Sequence, residues 1–381
     1  MKKKILVIGS SRATFGYKKE LLKILKKSKE FDLYFVVTGM HLSKEHGFSV
    51  DEIKNNNIKI NKKIKIPIKN VEPLDWITSL SFLMKKISIE YKKFRPDVVL
   101  VTGDRAEMFI SALTATYMNI PVAHIQAGDL SGHIDGVARH AITKLSHLHF
   151  ASCKDSYNRV LKLGEQKFRV FNTGAPQLDN LINKKKINKN YIINKIGFNF
   201  YKTGYILVIN HPTLANYKNA LNETNILLKA LEKRKEKKVV IYPNSDTGYK
   251  SIIKAIYKKK TQDFIVIKNL QRQDFIELLA NTNLLIGNSS CGILEASTFK
   301  IPVINLGDRQ EGRMQSKNII NSRYEKKEIL KKINFVFSNK KFNKSLKKIK
   351  NPYGNGKSSI KIFNILKKIN FREIIQKKMN Y

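Results

Sequence analysis

Short apolar segments alternate with helical segments along the chain, and this alternation limits the possible folds more than any other feature. Strands that alternate with helices are typical of parallel βαβ units, whose crossover helices cover the faces of a sheet. The helices predicted in the first half cover 17–29, 75–93, 107–118 and 136–146. The strands predicted there are KILVIGS (4–10), LYFVVTG (33–39), DVVLVTGD (97–104), PVAHIQA (121–127), HLHFAS (147–152) and RVFNTGAP (169–176).

The pattern restarts after a Lys/Asn-rich stretch at about 180–201, which we interpret as an interdomain connection that is partly helical. We therefore predict two doubly wound α/β domains with a cleft between them, covering 1–180 and 181–355. Residues 356–381 follow the turn NPYGNG and carry an amphipathic helix whose docking domain the sequence leaves open. The strands of the second half are YILVINHP (205–212), KKVVIYPNSD (237–246), DFIVIKNL (263–270), LLIGNSS (284–290) and PVINLGDR (302–309).

The formal charge of +42, from 72 basic and 30 acidic residues, raises the question of nucleic-acid binding. The lysines are spread along the whole chain among Ile and Asn, and no zinc spacing or RNA-binding aromatic pattern accompanies them. We therefore favour an anionic small molecule over nucleic acid. No apolar run reaches the length of a membrane span, and the two cysteines lack metal-ligand spacing, so we expect a cytoplasmic protein without a disulfide framework.

Polar loops follow the predicted strands of the first half. GSSRATFG (9–16) offers small residues and Arg12 to a phosphate, but it lacks the dinucleotide-binding spacing, so nicotinamide binding is not supported. TGDRAE (102–107) contributes Asp104 and Arg105, and AHIQAGDLSGHID (123–135) contributes Asp129 and Asp135. Each loop alone could be a solvated turn, but three carboxylates in neighbouring loops indicate an acid/base site.

The loops of the second half favour an anion. GNSSCGILEAS (287–297) supplies the hydroxyls of Ser289 and Ser290, and Glu295 follows where it could contact ribose hydroxyls. LGDRQEGR (306–313) supplies Arg309 and Arg313, whose guanidinium groups match a diphosphate.

INHPT (209–213) places His211 after the first strand of the second half, where it could transfer a proton or donate to a phosphate. A lone His before Pro is more often structural. Anion-binding loops in one half and carboxylates in the other are consistent with a nucleotide-sugar, with its diphosphate on the second half.

Taken together, these motifs resemble the hydrolysing UDP-N-acetylglucosamine 2-epimerases that begin sialic and legionaminic acid biosynthesis. The resemblance implies two Rossmann-like domains in a glycosyltransferase-B-type arrangement with the active site in the cleft, a homodimer or homotetramer, and no metal or redox cofactor. It covers nearly the whole chain through GSSRA, TGMH, TGDRAE, AHIQAGDLSGHID, RHAITKLSHLHF, NHP, PNSDTG, GNSSCGILEAS, GDRQEGR and NPYGNGK.

The family reaction removes the proton at sugar C2 while UDP leaves C1, and water then adds to the resulting 2-acetamidoglucal to release N-acetylmannosamine. The resemblance assigns Asp104 and Asp135 to catalytic carboxylates and His211 to a catalytic or phosphate-contacting role. It assigns nucleotide or phosphate contacts to Arg12, Arg105, Ser289, Ser290, Glu295 and Arg313.

Two positions depart from the patterns of relatives. Gln126 stands where some relatives carry a catalytic Glu, so Asp129, which matches a Glu in the same loop, is the candidate replacement. Tyr17 stands where non-hydrolysing relatives place a Lys, which favours the hydrolysing branch together with GSSRA, SGHID and GDRQEGR.

Several alternatives stay open. The same reaction could act on a UDP- or GDP-linked 2,4-diacetamido-2,4,6-trideoxyhexose, because TGMHLSKEHG (38–47), expected at the sugar end, does not reveal the C4 and C6 substituents. A glycosyltransferase of the same architecture would not need the paired carboxylates. The alternative that is not an enzyme is a protein that binds sugar-nucleotides or nucleic acid without catalysis.

Overall fold

A computed structural model describes residues 2–42, 50–67, 73–130, 134–182, 189–243, 248–259, 261–268 and 270–380. These residues form two compact units. The described residues up to 182 make the first unit together with those from 353 onward, and residues 189–352 make the second. The predicted α/β class with two doubly wound domains is confirmed, since each unit is built on a parallel sheet with interspersed helices.

The first unit contains a seven-stranded parallel sheet in the order β3-β2-β1-β4-β5-β6-β7 among its described residues. Its strands are β1 (Lys3–Gly9), β2 (Phe31–Thr38), β3 (Lys62–Ile64), β4 (Val98–Thr102), β5 (Val122–Ile125), β6 (Leu148–Ala151) and β7 (Val170–Asn172). Its helices are α1 (Arg12–Lys27), α2 (Val50–Asn55), α3 (Pro73–Phe94), α4 (Ala106–Tyr117), α5 (Ile134–Leu145), α6 (Lys154–Lys162) and α7 (Asp179–Ile182).

The central strand β1 shows why its sequence is apolar at successive positions. Ile5 and Val7 pack into one apolar cluster, and Leu6 and Ile8 pack into a second cluster that also contains residues of α3 and α4. Alternate side chains of a strand point to opposite faces, so a strand covered on both faces needs apolar residues throughout.

The second unit repeats this plan with a six-stranded parallel sheet in the order β10-β9-β8-β11-β12-β13 among its described residues. Its strands are β8 (Tyr205–Ile209), β9 (Lys237–Ile241), β10 (Phe264–Ile267), β11 (Leu284–Gly287), β12 (Val303–Leu306) and β13 (Ile319–Ser322). Its helices are α8 (Lys189–Ile196), α9 (Phe200–Thr203), α10 (Ala220–Glu232), α11 (Tyr249–Lys258), α12 (Arg272–Asn281), α13 (Ser290–Leu294), α14 (Lys326–Ser338) and α15 (Lys340–Leu346).

Ile206 and Val208 of β8 pack into one apolar cluster and Leu207 and Ile209 into another, as in the first unit. None of the helices that the structure describes is both long and apolar enough to cross a membrane.

The chain then returns to the first unit through α16 (Ser358–Lys368). Ile362 and Leu366 of α16 are buried in the apolar cluster that contains Leu21 and Leu25 of α1. The carboxylate of Asp179 accepts hydrogen bonds from the first backbone amides of α16, at Ser358 N (2.9 Å) and Ser359 N (2.6 Å). The segment whose docking domain the sequence left open therefore belongs to the core of the first unit.

The residues after α16 continue across the first unit. Arg169 donates to the carbonyl oxygen of Ile374 at 2.7 Å. The ammonium of Lys377 lies 2.8 Å from the buried carboxylate of Glu165, whose other oxygen is 2.9 Å from Nε2 of His149. The C-terminal segment thus supplies a positive charge that compensates a buried carboxylate.

The structure differs from the sequence prediction at the start of α1. The predicted loop 9–16 is shorter, because Ser11 and Thr14 form a reciprocal capping box that starts the helix at Arg12 rather than at 17. The strands β3 and β13 were not predicted, since each is short and carries polar side chains.

Candidate active site

Asp104 lies in the turn after β4, and Arg139 of α5 ion-pairs with its carboxylate. Arg139 also donates from Nη1 to the backbone carbonyl of Gln126 at 3.1 Å. The side chain of Arg139 is 6% exposed and that of Asp104 is 21% exposed. One buried guanidinium therefore fixes the turns after β4 and β5 relative to each other and leaves the Asp104 carboxylate accessible.

Gln126, directly after β5, has a backbone φ of +66°. A residue other than glycine rarely adopts this left-handed region, and such strain is concentrated at functional sites. The side chain of Gln126 is a neutral amide, so it cannot serve as the catalytic acid or base that some relatives have at this position. Its backbone carbonyl nevertheless anchors Arg139.

Asp129 is buried against the beginning of α6. Its Oδ1 accepts hydrogen bonds from the hydroxyls of Ser152 and Ser156, the latter at 2.7 Å. Gly128 has a φ of +73°, and a Cβ there would lie 2.3 Å from the carbonyl oxygen of Ser156. The loop after β5 therefore packs tightly on α6 and directs Asp129 toward two hydroxyl donors. The catalytic role predicted for Asp129 stays a prediction.

Arg105, predicted to contact phosphate, lies beside the buried carboxylate of Glu107, with Nε 3.1 Å and Nη2 3.2 Å from its two oxygens. His41, of the motif TGMH, is buried nearby. Burial, followed by the charges of Lys18 and Arg105, lowers the pKa of His41 to about 3. Lys18 is fully buried on α1, donates to the carbonyl of Ile8, and has a pKa lowered to about 7 by burial.

For two predicted site residues, the structure describes the backbone but not the side chain. The side chains of Arg12 and Asp135 lie outside the described part of the chain, although both residues belong to helices, at the first turns of α1 and α5. Parts of three motifs also lie outside it, at 43–47, 131–133 and 244–247.

In the second unit, His211 follows β8 and is held by Asn288, which follows β11. The backbone amide of His211 donates to Oδ1 of Asn288 at 2.7 Å, and Nδ2 of Asn288 donates to the carbonyl of His211 at 2.8 Å. Gly287 allows this approach, because a Cβ there would lie 1.9 Å from the carbonyl oxygen of Ile209. The two hydrogen bonds from Asn288 therefore fix the backbone position from which the His211 side chain extends.

The predicted Arg309 joins the same cluster, since its Nη1 donates to the backbone carbonyl of Asn288 at 3.1 Å. Gln310 donates to that oxygen at 2.9 Å. Burial, followed by the charge of Arg309, lowers the pKa of His211 to about 3, so its imidazole is neutral at physiological pH. A neutral imidazole beside a guanidinium can donate to an anion or take up a proton when an anion arrives.

Glu295, predicted to contact ribose, is buried and ion-paired with Arg272 of α12. The two guanidinium nitrogens of Arg272 lie 2.6 and 3.2 Å from the two carboxylate oxygens. This bidentate geometry fixes the orientation of the carboxylate while each oxygen keeps a further lone pair for an acceptor contact. Ser289 accepts a contact from Sγ of Cys291 at 3.2 Å, and Ser290 begins α13.

A polar cavity of about 700 Å³ lies beside the loop that carries Arg309 and Arg313. Glu223 lines it together with Asp308, and burial followed by the Asp308 charge raises the pKa of Glu223 to about 6. Among the described residues, no three His, Cys, Asp or Glu side chains lie close enough together to hold a metal ion.

A model of the UDP-N-acetylglucosamine 2-epimerase family matches residues 23–367. The chain belongs to this family. The resemblance inferred from the motifs is thereby confirmed.

Individual members of the family extend this result. The chain is 34% identical to UDP-N,N′-diacetylbacillosamine 2-epimerase (hydrolyzing) of Legionella pneumophila, over all of both chains. It is 31% identical to UDP-N-acetylglucosamine 2-epimerase of Neisseria meningitidis serogroup B, over 89% of each chain. It also has the fold of a Neisseria meningitidis UDP-GlcNAc 2-epimerase solved with UDP-GlcNAc bound, with a TM-score of 0.84, 20% identity, and coverage of 96% of this chain and 100% of that one.

Compared with the epimerase motifs, sequence reasoning missed the residues that hold the site side chains in place. Asn288 was treated only as part of a polar turn, and no role was assigned to Arg139, His124 or Arg272. None of these residues lies beside its partner in the sequence, so the local sequence carried no signal for the contacts.

Proposed function

We propose that this protein is a hydrolysing 2-epimerase that converts a UDP-linked 2-acetamido sugar into UDP and the free sugar with inverted C2. The full-length similarity to a hydrolysing relative carries the proposal. The accessible Asp104 carboxylate in the first unit and the neutral His211 beside Arg309 in the second support it, because the reaction needs a base and a group that accepts a leaving diphosphate.

The reaction proceeds in two stages. A carboxylate removes the proton from C2 as the C1–O bond breaks, and the electron pair of that bond leaves with UDP. The product of this stage is a 2-acetamidoglucal. Water then adds across the double bond, with hydroxyl at C1 and a proton delivered to C2 from the opposite face, and the free sugar is released.

The carboxylates of the first unit perform the proton transfers in this proposal. Asp104 and Asp135 are the acid and base, and both follow or begin elements at the carboxyl edge of the sheet. Asp129 takes the place of the Glu found in the same loop of relatives. The hydroxyls of Ser152 and Ser156 hold its carboxylate in a fixed orientation.

The second unit binds the nucleotide in this proposal. Ser289, Ser290, Arg309 and Arg313 contact the diphosphate, and Glu295, oriented by Arg272, accepts from ribose hydroxyls. His211 is neutral in the ligand-free protein, and an adjacent diphosphate favours its charged form. An N–H hydrogen bond donated from its ring to a phosphate oxygen stabilises the negative charge that develops on the leaving group. Arg12 and Arg105 add positive charge from the first unit.

The identity of the sugar is the finer part of the proposal. The sequence alone put UDP-N-acetylglucosamine first and the 2,4-diacetamido-2,4,6-trideoxyhexose second. The relative named for UDP-N,N′-diacetylbacillosamine aligns over the whole of both chains at 34%, against 31% over 89% for the relative named for UDP-N-acetylglucosamine. We therefore place UDP-N,N′-diacetylbacillosamine first, as a step toward legionaminic acid, and keep UDP-N-acetylglucosamine, as a step toward sialic acid, second.

The deciding experiment compares the purified protein on both UDP-sugars and on GDP-N,N′-diacetylbacillosamine, in EDTA and without added NAD. We expect UDP release with kcat/KM highest for UDP-N,N′-diacetylbacillosamine. In D₂O the free sugar should carry one deuterium at C2, because hydration takes that hydrogen from solvent. A nucleotide-linked epimer without UDP release would contradict the hydrolysing assignment, and binding without turnover would favour a sensor.

We also propose that the protein forms a homodimer or homotetramer. Leu74 and Ile77 on α3 and Tyr117 on α4 are 76%, 61% and 85% exposed, and residues 106–138 contain no Lys or Arg. In a chain of net charge +42, exposed apolar side chains offer contacts between copies, and a segment without basic residues limits repulsion between them. Light scattering at 0.15 M salt tests this: Tyr117→Lys and Ile77→Lys should lower the assembled mass, whereas Tyr257→Lys should not.

A further inference from the structure

We propose that His124 is a positioning residue for Asp104, and that it acts through a closed ring of contacts running from β5 through α5 to the turn after β4. The inference rests on the proposed function, in which Asp104 transfers a proton. His124 itself is fully buried and does not reach a substrate.

The first link of the ring joins β5 to the Asp104 turn. Nε2 of His124 lies 2.8 Å from the backbone carbonyl oxygen of Gly103. A carbonyl can only accept, so Nε2 carries the proton and donates it. Gly103 precedes Asp104 and has a φ of +80°, which makes this peptide the point where the chain turns out of β4. His124 therefore fixes the peptide that orients Asp104.

The second link joins β5 to α5. Nδ1 of His124 has no proton in this tautomer, so it accepts the single hydroxyl proton of Thr143, whose Oγ1 lies 3.2 Å away. The carbonyl oxygen of Arg139 lies 3.0 Å from the same Oγ1 but does not receive that proton, so Thr143 and Arg139 are joined through the helix α5. Thr143 is one helical turn after Arg139 on α5, and Arg139 ion-pairs with Asp104. The ring is thus closed by contacts on both sides of the Asp104 carboxylate.

The ring requires a neutral imidazole with its proton on Nε2. Burial is the main cause that lowers the pKa of His124 to about 3, and the charges of Arg139 and His149 act in the same direction. The hydrogen bond to Gly103 and the charge of Asp104 oppose this shift. The neutral tautomer therefore persists across the working pH range.

The position of His124 has a kinetic consequence. A general base displaced by about 1 Å can lose about a hundredfold in rate, although the substrate still binds. Loss of the ring should therefore lower kcat and leave KM and UDP affinity nearly unchanged. A residue that only filled space would alter stability without this split.

The kinetic test uses graded substitutions in the full-length protein. We expect His124→Leu to lower kcat at least tenfold with KM within about threefold of the parent, and His124→Gln, which keeps a donor near Nε2, to recover most of that loss. Thr143→Val should lower kcat less, and Thr143→Ser should match the parent. His149→Gln, a buried His on the adjacent strand outside the ring, is the matched control and should keep kcat within about twofold.

Equal kcat losses in His124→Leu and His149→Gln, or no recovery in His124→Gln, would overturn the inference. If His124→Leu does not fold, the Thr143→Val and Thr143→Ser pair decides by the same criterion.

A spectroscopic test is independent of the substrate. In ¹⁵N-histidine NMR spectra, the imidazole signals of His124 are those that the parent shows and His124→Gln lacks. In the parent these signals should have the chemical shifts of a neutral Nε2–H tautomer throughout pH 5–8. A proton on Nδ1, or titration in that range, would overturn the ring.

A crystal structure of His124→Leu or Thr143→Val separates this inference from the proposed function. If no UDP-sugar is turned over, the proposed function fails. In that case the positioning role of His124 is supported if Asp104 has moved away from Arg139 in the variant, and it is overturned if Asp104 has not moved.

Discussion

The side chain of Asn288 forms two hydrogen bonds with the backbone of His211, accepting from its amide at 2.7 Å and donating to its carbonyl at 2.8 Å. The two residues are 77 positions apart and follow β8 and β11, which are adjacent in the sheet. Just beyond the ends of the two strands, these side-chain hydrogen bonds take the place of the backbone hydrogen bonds that would pair the strands. They let His211 leave the sheet without losing backbone hydrogen bonds.

Asn288→Ala should weaken both stability and UDP binding. Each lost hydrogen bond costs about 0.5–1.5 kcal/mol, so urea unfolding should show a loss of roughly 1–3 kcal/mol. UDP affinity, measured by calorimetry, should fall because His211 is no longer fixed. Asn334→Ala, which removes an exposed amide of the same unit that accepts from Arg234, is the control and should leave UDP binding unchanged. Unchanged UDP affinity in Asn288→Ala would mean that the hydrogen bonds between Asn288 and the His211 backbone contribute to stability but not to UDP binding.

Asp104→Asn and Asp135→Asn should each lower kcat by about two orders of magnitude or more, the scale expected for positioned acid/base groups. UDP affinity should change little, since neither carboxylate is assigned to the diphosphate. Asp155→Asn is a matched control, because Asp155 is also ion-paired to an arginine in the first unit but is half exposed. Near-parental turnover in both site variants would remove these residues from the mechanism.

Arg313→Ala should weaken UDP binding more than Ser290→Ala does. A charge-assisted contact is worth about 1.5–3 kcal/mol, whereas a neutral one is worth nearer 1. The charge of +42 could attract UDP without specific contacts, but that attraction is screened as salt rises. The effect of Arg313→Ala should therefore persist at 0.15 M salt and above, and exposed Lys317→Ala should lose its smaller effect. Equal binding by Arg313→Ala and the parent at high salt would refute the anion site.

Lys18→Met should stabilise the protein at pH 6. Burial lowers the pKa of Lys18 from 10.5 to about 7, so the folded state holds fewer protons than the unfolded chain between these values. Stability from this group therefore rises as pH increases from about 7 to 10.5, and its full cost is present below pH 7. Methionine removes a cost of at least about 1 kcal/mol, net of the lost hydrogen bond to Ile8.

The measurement for Lys18→Met is the free energy of unfolding from pH 6 to pH 10. The gain over the parent should be largest at pH 6 and should shrink toward pH 10. Lys27→Met is the control on the same helix, because Lys27 is exposed, and it should show no such pH dependence. A gain that does not vary with pH would mean that the pKa of Lys18 is the same in the folded and unfolded states, so that burial does not lower it.

The strands that the sequence predicted best are those whose residues are buried on both faces, such as β1 and β8. Their apolar runs have no polar interruption, so no other element fits them. In contrast, β3 has the sequence KKI, and among the described residues it is an edge strand that pairs with β2 alone. Its identity depends on a partner strand rather than on its own side chains, so its sequence carries no signal.

In the candidate site, too, features that depend on local sequence could be predicted, and features that depend on a partner element could not. The positions of Asp104 and His211 after β4 and β8 could be predicted from strand-like runs, and their roles in the site stay predictions. The pairing of Asp104 with Arg139, which is 35 positions away, depends on the register of β4 and β5 and on the rotation of α5. Neither quantity can be read from local sequence, so the residues that support the site were not predictable.

The return of α16 to the first unit also determines when that unit can fold during synthesis. Ribosomes release the chain from its N-terminus, so β1 to β7 emerge long before Ile362 and Leu366, which complete the core around α1. The second unit is continuous in sequence and can close its own core while those residues are still being added. The unit that begins to emerge first is therefore completed last, and the apolar face of α1 that packs against α16 stays uncovered until α16 has emerged.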